Sequence, residues 1–219
     1  MGEHSVQEVH VAVAGASLEG TLAIPTGACG LVLFAHGSGS SRHSPRNNYV
    51  ARILRDAGIG TLLFDLLTAE EDLDYSARFD IGLLTQRLAA VTRWIQTRPE
   101  AAGLAIGYFG ASTGAAAALG AAVELGSVIA AVVSRGGRPD LAEPMLHRVR
   151  APTLLIVGEL DVEVLQLNRR AYALLAGEKR LAVVPGATHL FEEPGTLEQA
   201  ARLAAGWFKD HLKPAVQLP

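Results

Sequence analysis

The middle of the chain reads Gly107-Tyr108-Phe109-Gly110-Ala111-Ser112-Thr113-Gly114 and continues into a run of alanines. The pattern Gly-x-Ser-x-Gly within it is typical of a sharp turn that joins a strand to a helix and presents one serine. Because the backbone is strained there, Gly110 and Gly114 supply the residues without Cβ that the turn needs on either side of the serine. The helix that follows directs its free N–H groups and positive dipole end toward a developing oxyanion. Ser112 is therefore a candidate nucleophile.

The surrounding pattern supports this interpretation of the pentapeptide. Taken alone, the motif also fits a glycine-rich helix start with a chemically idle serine. Residues 104–109 have the continuous apolar character of a buried strand, and residues 115–119 are an alanine-rich segment typical of a tightly packed helix. The strand-turn-helix context that the motif requires is thus predicted at this position.

Composition limits the classes of protein to consider. The 219 residues are enough for one sizeable domain and few for two, so we expect a single domain over residues 1–219. Hydrophobic residues make up 49% and charged residues 19%, which indicates a globular protein. The net charge of −3, without a basic run, argues against nucleic acid or an anionic membrane as the partner. A single cysteine, Cys29, and the absence of a signal-peptide pattern in residues 1–15 favour a cytoplasmic location.

Strand and helix patterns alternate almost from end to end. Nearly all-apolar strands separated by helices predict an α/β fold, with a mostly parallel sheet covered by helices on both faces. The predicted strands cover residues 9–14, 18–23, 31–35, 60–64, 104–109, 128–133, 153–157 and 180–184. The predicted helices cover residues 48–57, 78–96, 115–119, 164–175 and 196–212, the last with a capping box at Thr196-Leu197-Glu198-Gln199. The short connection after Val133 predicts an open site without a cap domain.

Two further residues complete a candidate catalytic triad. In parallel sheets of this kind, ligands bind beyond the carboxyl ends of the strands. Asp161 follows the strand over 153–157 and His189 follows the last strand, so the chain order is serine, acid, histidine. Asp161 is the candidate acid that orients His189, and His189 is the candidate base for Ser112. The alternatives are an ordinary cap role for Asp161, Glu159 as the acid, and a backbone hydrogen bond for His189.

An oxyanion hole requires two N–H donors. We expect one from the backbone of Thr113, directly after the nucleophile, and the second from Ser38 in the loop over residues 36–41. A glycine- and serine-rich loop before a helix is also a possible phosphate cradle. This loop lacks the lysine and the spacing of a P-loop, which favours the oxyanion interpretation.

These motifs resemble those of a known family. His36-Gly37-Ser38-Gly39, the turn at Gly110 to Gly114, the Asp161 loop and the His189 loop are similar, in this order, to those of the α/β-hydrolase superfamily. The resemblance is to its small, lidless members related to dienelactone hydrolases, and it covers nearly the whole chain. It implies hydrolysis through an acyl-enzyme. Typical dienelactone hydrolases carry a cysteine where this chain has Ser112, which favours a general carboxylic ester or thioester over the dienelactone itself.

Basic residues near the predicted site are candidates for substrate binding. Arg135 follows the strand that is predicted to lie beside the strand leading to Ser112. Arg42, His43 and Arg46 lie in the loop after His36. A guanidinium at a strand end can bind a substrate carboxylate through two parallel hydrogen bonds. The alternatives are a structural salt bridge to a nearby carboxylate, such as Asp65, Asp80 or Asp140, and a solvated surface charge.

Together these patterns predict a serine hydrolase that cleaves a small-molecule ester, lactone or thioester. We expect no metal or organic cofactor, because the sequence has neither a His-Glu-x-x-His motif nor a cysteine cluster. An acyltransferase or thioesterase would use the same triad. A non-catalytic binding module of the same fold is the alternative from a different class. The acyl group, the leaving group and the oligomeric state are left open.

Overall fold

The computed structural model describes residues 4–13 and 15–213, which form eight strands and five α-helices. The strands are β1 (His4–Val13), β2 (Ala16–Pro25), β3 (Gly30–Ala35), β4 (Gly60–Phe64), β5 (Ala105–Ala111), β6 (Ile129–Arg135), β7 (Thr153–Gly158) and β8 (Lys179–Val184). The helices are α1 (Pro45–Asp56), α2 (Ile81–Gln96), α3 (Thr113–Leu125), α4 (Val162–Leu174) and α5 (Thr196–His211). Short 3-10 segments cover Glu71–Leu73, Ala77–Phe79, Pro99–Ala101, Gly126–Val128 and Pro139–Arg148.

All eight strands form one sheet, in the order β1-β2-β4-β3-β5-β6-β7-β8. The strands from β4 to β8 in this order pair in parallel, whereas β1 with β2 and β2 with β4 are antiparallel. The predicted α/β fold with a mostly parallel sheet is therefore confirmed, and so is the opening pair of strands. Ala14, where the first strand was predicted to end, lies outside the described residues.

Each face of the sheet is covered by its own apolar layer. Strand β3 shows the division, because Leu31 and Leu33 pack into one layer while Val32 and Phe34 pack into the other. The first layer contains buried residues of α2, α3 and α4, and the second contains those of α1 and α5. This two-sided covering explains why the central strands are nearly continuous apolar runs.

Capping at two helices differs from the sequence prediction, although α5 begins at Thr196 as predicted. Helix α1 begins earlier than predicted, since the Ser44 side chain accepts a hydrogen bond from the Asn47 N–H at its first turn. The capping box predicted at Thr196 is wrong. Gly195 occupies the cap position with a φ of 81°, and the Thr196 hydroxyl donates instead to the Glu193 carbonyl at 2.7 Å.

The connection from β6 to β7 carries no additional domain. Its only regular element is the 3-10 segment Pro139–Arg148, which packs beside α3 and α4. The carboxyl ends of the parallel strands are therefore not covered by a cap. Within residues 4–13 and 15–213, no helix combines the length and apolar character needed to cross a membrane.

The elbow between β5 and α3 depends on close backbone contacts. A Cβ atom at Gly114 would lie 2.1 Å from the carbonyl oxygen of Ala35 and 2.5 Å from that of His36. A Cβ atom at Gly110 would lie 2.5 Å from the Cα of Ala115. All three distances are far below any allowed contact and involve backbone atoms, which cannot rotate away. The two glycines are therefore needed for α3 to start directly beside the end of β3.

We expect Gly114→Ala to lower the free energy of unfolding by about 3 kcal/mol or to prevent folding, because the added methyl group overlaps fixed backbone. Gly206→Ala is the matched control, since an added Cβ in the interior of α5 meets nothing within 4 Å. That substitution should stabilise the protein by about 0.5–1 kcal/mol through helix propensity. Chemical denaturation measures both values. Equal stability of the two variants would contradict the packing argument.

Candidate active site

Ser112 occupies a strained position at the elbow. Its φ of 49° and ψ of −122° lie outside the regions that ordinary residues prefer. Its backbone N–H donates a hydrogen bond to the Arg135 carbonyl at 3.4 Å, and its carbonyl accepts hydrogen bonds from the backbone N–H groups of Ala115 and Arg138 at 3.1 and 3.0 Å. These contacts hold the residue from both sides, so the surrounding structure maintains the strained conformation that presents its hydroxyl.

His189 and Asp161 lie within hydrogen-bonding distance. The Nδ1 atom of His189 is 2.6 Å from Oδ2 of Asp161. Asp161 stands at the cap position of α4, yet its side chain accepts no hydrogen bond from that helix. The Glu159 carboxylate accepts instead from the Gly186 N–H at 2.9 Å. Of the two carboxylates considered from the sequence, Asp161 is thus the one that the fold places on the histidine.

Ser112 and His189 line the same cleft, which has a volume of about 240 Å³. The loop that follows β3 forms the opposite side through Gly37 and Ser38. Gly37 approaches the elbow so closely that a Cβ atom there would lie 3.0 Å from the Cβ of Ser112. The fold therefore gathers the three predicted triad residues and the predicted oxyanion loop at one edge of the sheet.

The two predicted oxyanion donors differ in their hydrogen bonding. The Thr113 N–H begins α3, and among the described residues it has no hydrogen-bond acceptor. The Ser38 N–H donates to Oγ1 of Thr113 at 2.9 Å. Sequence reasoning treated both amides as free, because it did not consider the buried Thr113 hydroxyl as an acceptor. The hydroxyl links the loop after β3 to the elbow and occupies the Ser38 amide in this state.

The basic residues singled out from the sequence divide into two groups. Arg135 and Arg46 line the cleft beside Ser112. Arg42 forms ion pairs with Asp65 and with Glu19, and it lines a neighbouring cavity of about 370 Å³. For Arg42 the structural salt-bridge alternative is therefore the one observed.

His43 is exposed and does not line the cleft. Its backbone N–H donates to the Ser41 side chain. The predicted role of His43 in substrate binding thus has no support from its position.

Arg135 is buried without a counter-charge. It is 6% exposed, and among the described residues its guanidinium has no hydrogen-bond or ion-pair partner. Burial lowers the pKa of Arg135 to about 10, and the nearby charge of Arg46 adds to the effect. A group with this pKa is still cationic at neutral pH. The cleft therefore holds a fixed positive charge next to the candidate nucleophile.

Phe191 was missed by the sequence analysis. Its ring lies against the Arg135 guanidinium, with 5.5 Å between the guanidinium carbon and the ring centroid. It has a φ of 56°, and Ser112 is the other non-glycine residue with a positive φ in the described part of the chain. No local pattern signals an aromatic residue in this conformation two positions after His189.

His36 is a structural residue of the loop after β3. Its Nε2 accepts from the Leu66 N–H at 3.0 Å, so the proton resides on Nδ1, which donates to the Gly37 carbonyl at 3.0 Å. Burial lowers the pKa of His36, which favours this neutral form. The neutral ring therefore ties the loop to the segment after β4. In the described residues, no group of three His, Cys, Asp or Glu side chains is placed to hold a metal ion.

The chain is similar to known proteins of solved structure. The crystal structure of a dienelactone hydrolase from Anabaena variabilis is 54% identical and superposes with a TM-score of 0.93, over 96% of this chain and 99% of that one. Est1E from Butyrivibrio proteoclasticus shares the fold at 15% identity, with a TM-score of 0.80 over 93% of this chain and 98% of its own. No protein-family model matches the chain.

A curated relative carries a different name. "Putative phosphoribosyl transferase Rv0571c" of Mycobacterium tuberculosis is 59% identical over 206 residues, which cover 94% of this chain and 46% of that protein. The same name and values apply to its counterpart in a second strain. The chain thus spans about half the length of the curated relatives it matches.

The contact between Thr113 and Ser38 has a measurable consequence. We expect Thr113→Val to speed hydrogen exchange of the Ser38 amide by roughly fivefold, because a hydrogen bond of about 1 kcal/mol is lost. Thr113→Ser keeps the acceptor oxygen and should keep the protection. Amide exchange followed by NMR gives both rates, and unchanged protection in the valine variant would show that Thr113 is not the acceptor.

Proposed function

We infer that this chain, which belongs to the small lidless α/β-hydrolases of the dienelactone hydrolase type, is a serine hydrolase that cleaves carboxylic esters, lactones or thioesters through an acyl-enzyme. The observation that carries the proposal is the contact of 2.6 Å between Asp161 and His189, together with the cleft that both His189 and Ser112 line. Nucleophilic acyl transfer needs a hydroxyl as the nucleophile, an imidazole that takes its proton and a carboxylate that orients the imidazole.

The proposed reaction proceeds in two halves. The Ser112 hydroxyl attacks the substrate carbonyl carbon while His189 Nε2 accepts its proton. The Asp161 carboxylate holds the Nδ1 proton and stabilises the imidazolium that forms. The imidazolium then returns a proton to the departing oxygen or sulfur, which leaves Ser112 acylated. Water, activated by the same imidazole, attacks the acyl group and releases the acid.

Charge that develops on the carbonyl oxygen is stabilised at the start of α3. The Thr113 N–H, which has no acceptor in the described structure, and the positive end of the helix dipole favour an anion there. We assign the Ser38 amide as the second donor. It would have to exchange its bond with the Thr113 hydroxyl for one with the oxyanion, and this exchange lowers its net contribution.

The name of the curated relatives does not transfer to this chain. They are about twice as long as the region that matches, so the named phosphoribosyl transfer has no necessary relation to that region. The alternative with the same triad is acyl transfer to an alcohol or thiol in place of water. Product analysis in water with and without added alcohol separates the two, because a transferase forms the new ester in preference to the acid.

Labelling with a fluorophosphonate probe tests Ser112 directly. We expect covalent labelling of the wild-type protein and none of Ser112→Ala, because only an activated serine reacts with the probe. Ester turnover should fall by roughly 10³-fold or more in the same variant. Ser134→Ala is the control, since Ser134 is a buried serine near the end of the adjacent strand and its hydroxyl has no hydrogen-bond partner among the described residues. Labelling that survives Ser112→Ala would overturn the proposed nucleophile.

The acid of the triad is tested by comparing two neighbouring carboxylates. Asp161→Asn should lower kcat by roughly 10²–10⁴-fold, because a neutral amide neither fixes the tautomer of His189 nor stabilises its cation. Glu159→Gln should leave kcat close to the wild-type value, since a glutamine oxygen can still accept from the Gly186 N–H. Steady-state kinetics on a 4-nitrophenyl ester measure both. A large loss in the Gln variant with little effect in the Asn variant would reverse the assignment.

A further inference from the structure

We propose that Arg135, assisted by Arg46, forms a subsite beside Ser112 for an anionic oxygen group, so that the substrate is an ester carrying a carboxylate or a phosphate. That the substrate is an ester rests on the proposed function. That it carries an anionic group rests on the structure around Arg135. It names the substrate class, which the hydrolase fold alone leaves open.

The first support is the isolation of the Arg135 charge. The side chain is more than nine-tenths buried and lines the same cleft as Ser112, and its Nε atom has no hydrogen-bond partner in the part of the chain that the structure describes. A charge taken out of water without a partner is costly, and proteins seldom keep one without a compensating group. Within the described part of the chain, no Asp or Glu side chain lines this cleft. The described residues supply no anion to Arg135, and a bound anionic ligand would compensate its charge.

The second support is the position of Arg135 in the sheet. Arg135 ends β6 and pairs in register with Ala111, the residue before Ser112. Neighbouring strands are about 4.8 Å apart, so the backbone of Arg135 lies one strand spacing from the end of the strand that leads to Ser112. An anionic group bound there would belong to the same small molecule as the carbonyl that Ser112 attacks.

The third support is the way in which Arg135 is held. The guanidinium carbon lies 5.5 Å from the centroid of the Phe191 ring, and among the described residues no group accepts a hydrogen bond from the guanidinium. Phe191 adopts a left-handed backbone conformation, which is unfavourable for a residue with a side chain. Strain of this kind is retained at binding sites where it positions a group.

Arg46 adds a second, more adaptable charge. It lines the same cleft and its charge acts on Arg135. It pairs with Glu192 at 3.2 Å, but both side chains are exposed enough that water weakens this contact. Arg46 can therefore turn toward an anion held by Arg135, and two cations suit a carboxylate or a phosphate.

The catalytic test uses a matched pair of esters, 4-nitrophenyl butyrate and mono(4-nitrophenyl) glutarate. They share the leaving group and differ in a distal carboxylate. We expect Arg135→Gln to lower the ratio of kcat/KM for the anionic ester to that for the neutral ester by about 10- to 150-fold. Arg135→Lys keeps the charge and should lose less of the ratio. Arg138→Gln is the control, because Arg138 lies three residues away and pairs with Asp140 outside the cleft.

A binding test separates the anion subsite from the proposed chemistry. Calorimetry on Ser112→Ala measures the affinity for glutarate and for inorganic phosphate without turnover, and the double variant with Arg135→Gln should lose it. Tighter glutarate indicates a carboxylate substrate, and tighter phosphate indicates a phosphate-bearing one. Binding that depends on Arg135 in a protein that hydrolyses neither ester would leave the subsite standing while the proposed function fails.

Two results would overturn the subsite. One is an equal effect of Arg135→Gln on both esters, with the variant shown to be folded by circular dichroism. The other is anion affinity that is the same with and without Arg135. Should the Gln variant not fold, Arg135→Met against Arg138→Met supplies the same comparison, since methionine removes the charge and keeps an apolar stem beside Phe191. An unchanged selectivity ratio in Arg135→Met would equally exclude the proposal.

Discussion

The structure depends on one close approach of two backbones, where the start of α3 passes the end of β3. Only a residue without Cβ fits against the Ala35 and His36 carbonyls at Gly114. This contact places the elbow directly beside the loop after β3, so that Gly37 lies against Ser112 and Ser38 reaches Thr113. The position of the candidate nucleophile, the free helix amide and the facing loop are therefore consequences of a single packing constraint.

The carboxylates around the site already have partners within the protein. Asp161 contacts His189, Asp65 contacts Arg42, and Glu159 accepts from a backbone amide. Arg135 is left without any of them. The chain has a net charge of −3, yet the cleft itself presents two cations and no carboxylate among the described residues. The local field thus has the opposite sign to that of the whole molecule, which favours anions at the site.

Much of this arrangement follows from sequence pattern, and the exceptions have physical causes. Strand and helix order follow from hydrophobic periodicity, and chain order brings Asp161 to His189. Short-range capping misled the prediction at Thr196, because Gly195 in a left-handed conformation changed the local hydrogen bonds. The hydrogen bond from the Ser38 amide to Thr113 joins residues that are 75 positions apart. The contact of Arg135 with the Phe191 ring joins residues that are 56 positions apart. Contacts of that range depend on the assembled sheet and have no local signature.

The uncovered edge of the sheet has a consequence for the timing of turnover. In enzymes with a cap domain, opening of the cap and release of the product often limit kcat. Here the connection between β6 and β7 is a single 3-10 segment packed on the body of the protein. We therefore expect bond making and breaking to limit the rate, with little dependence on solvent viscosity. In the proposed mechanism, an uncovered site would also let bulk water reach the acylated serine, which would shorten the lifetime of the covalent intermediate and direct the acyl group toward the free acid.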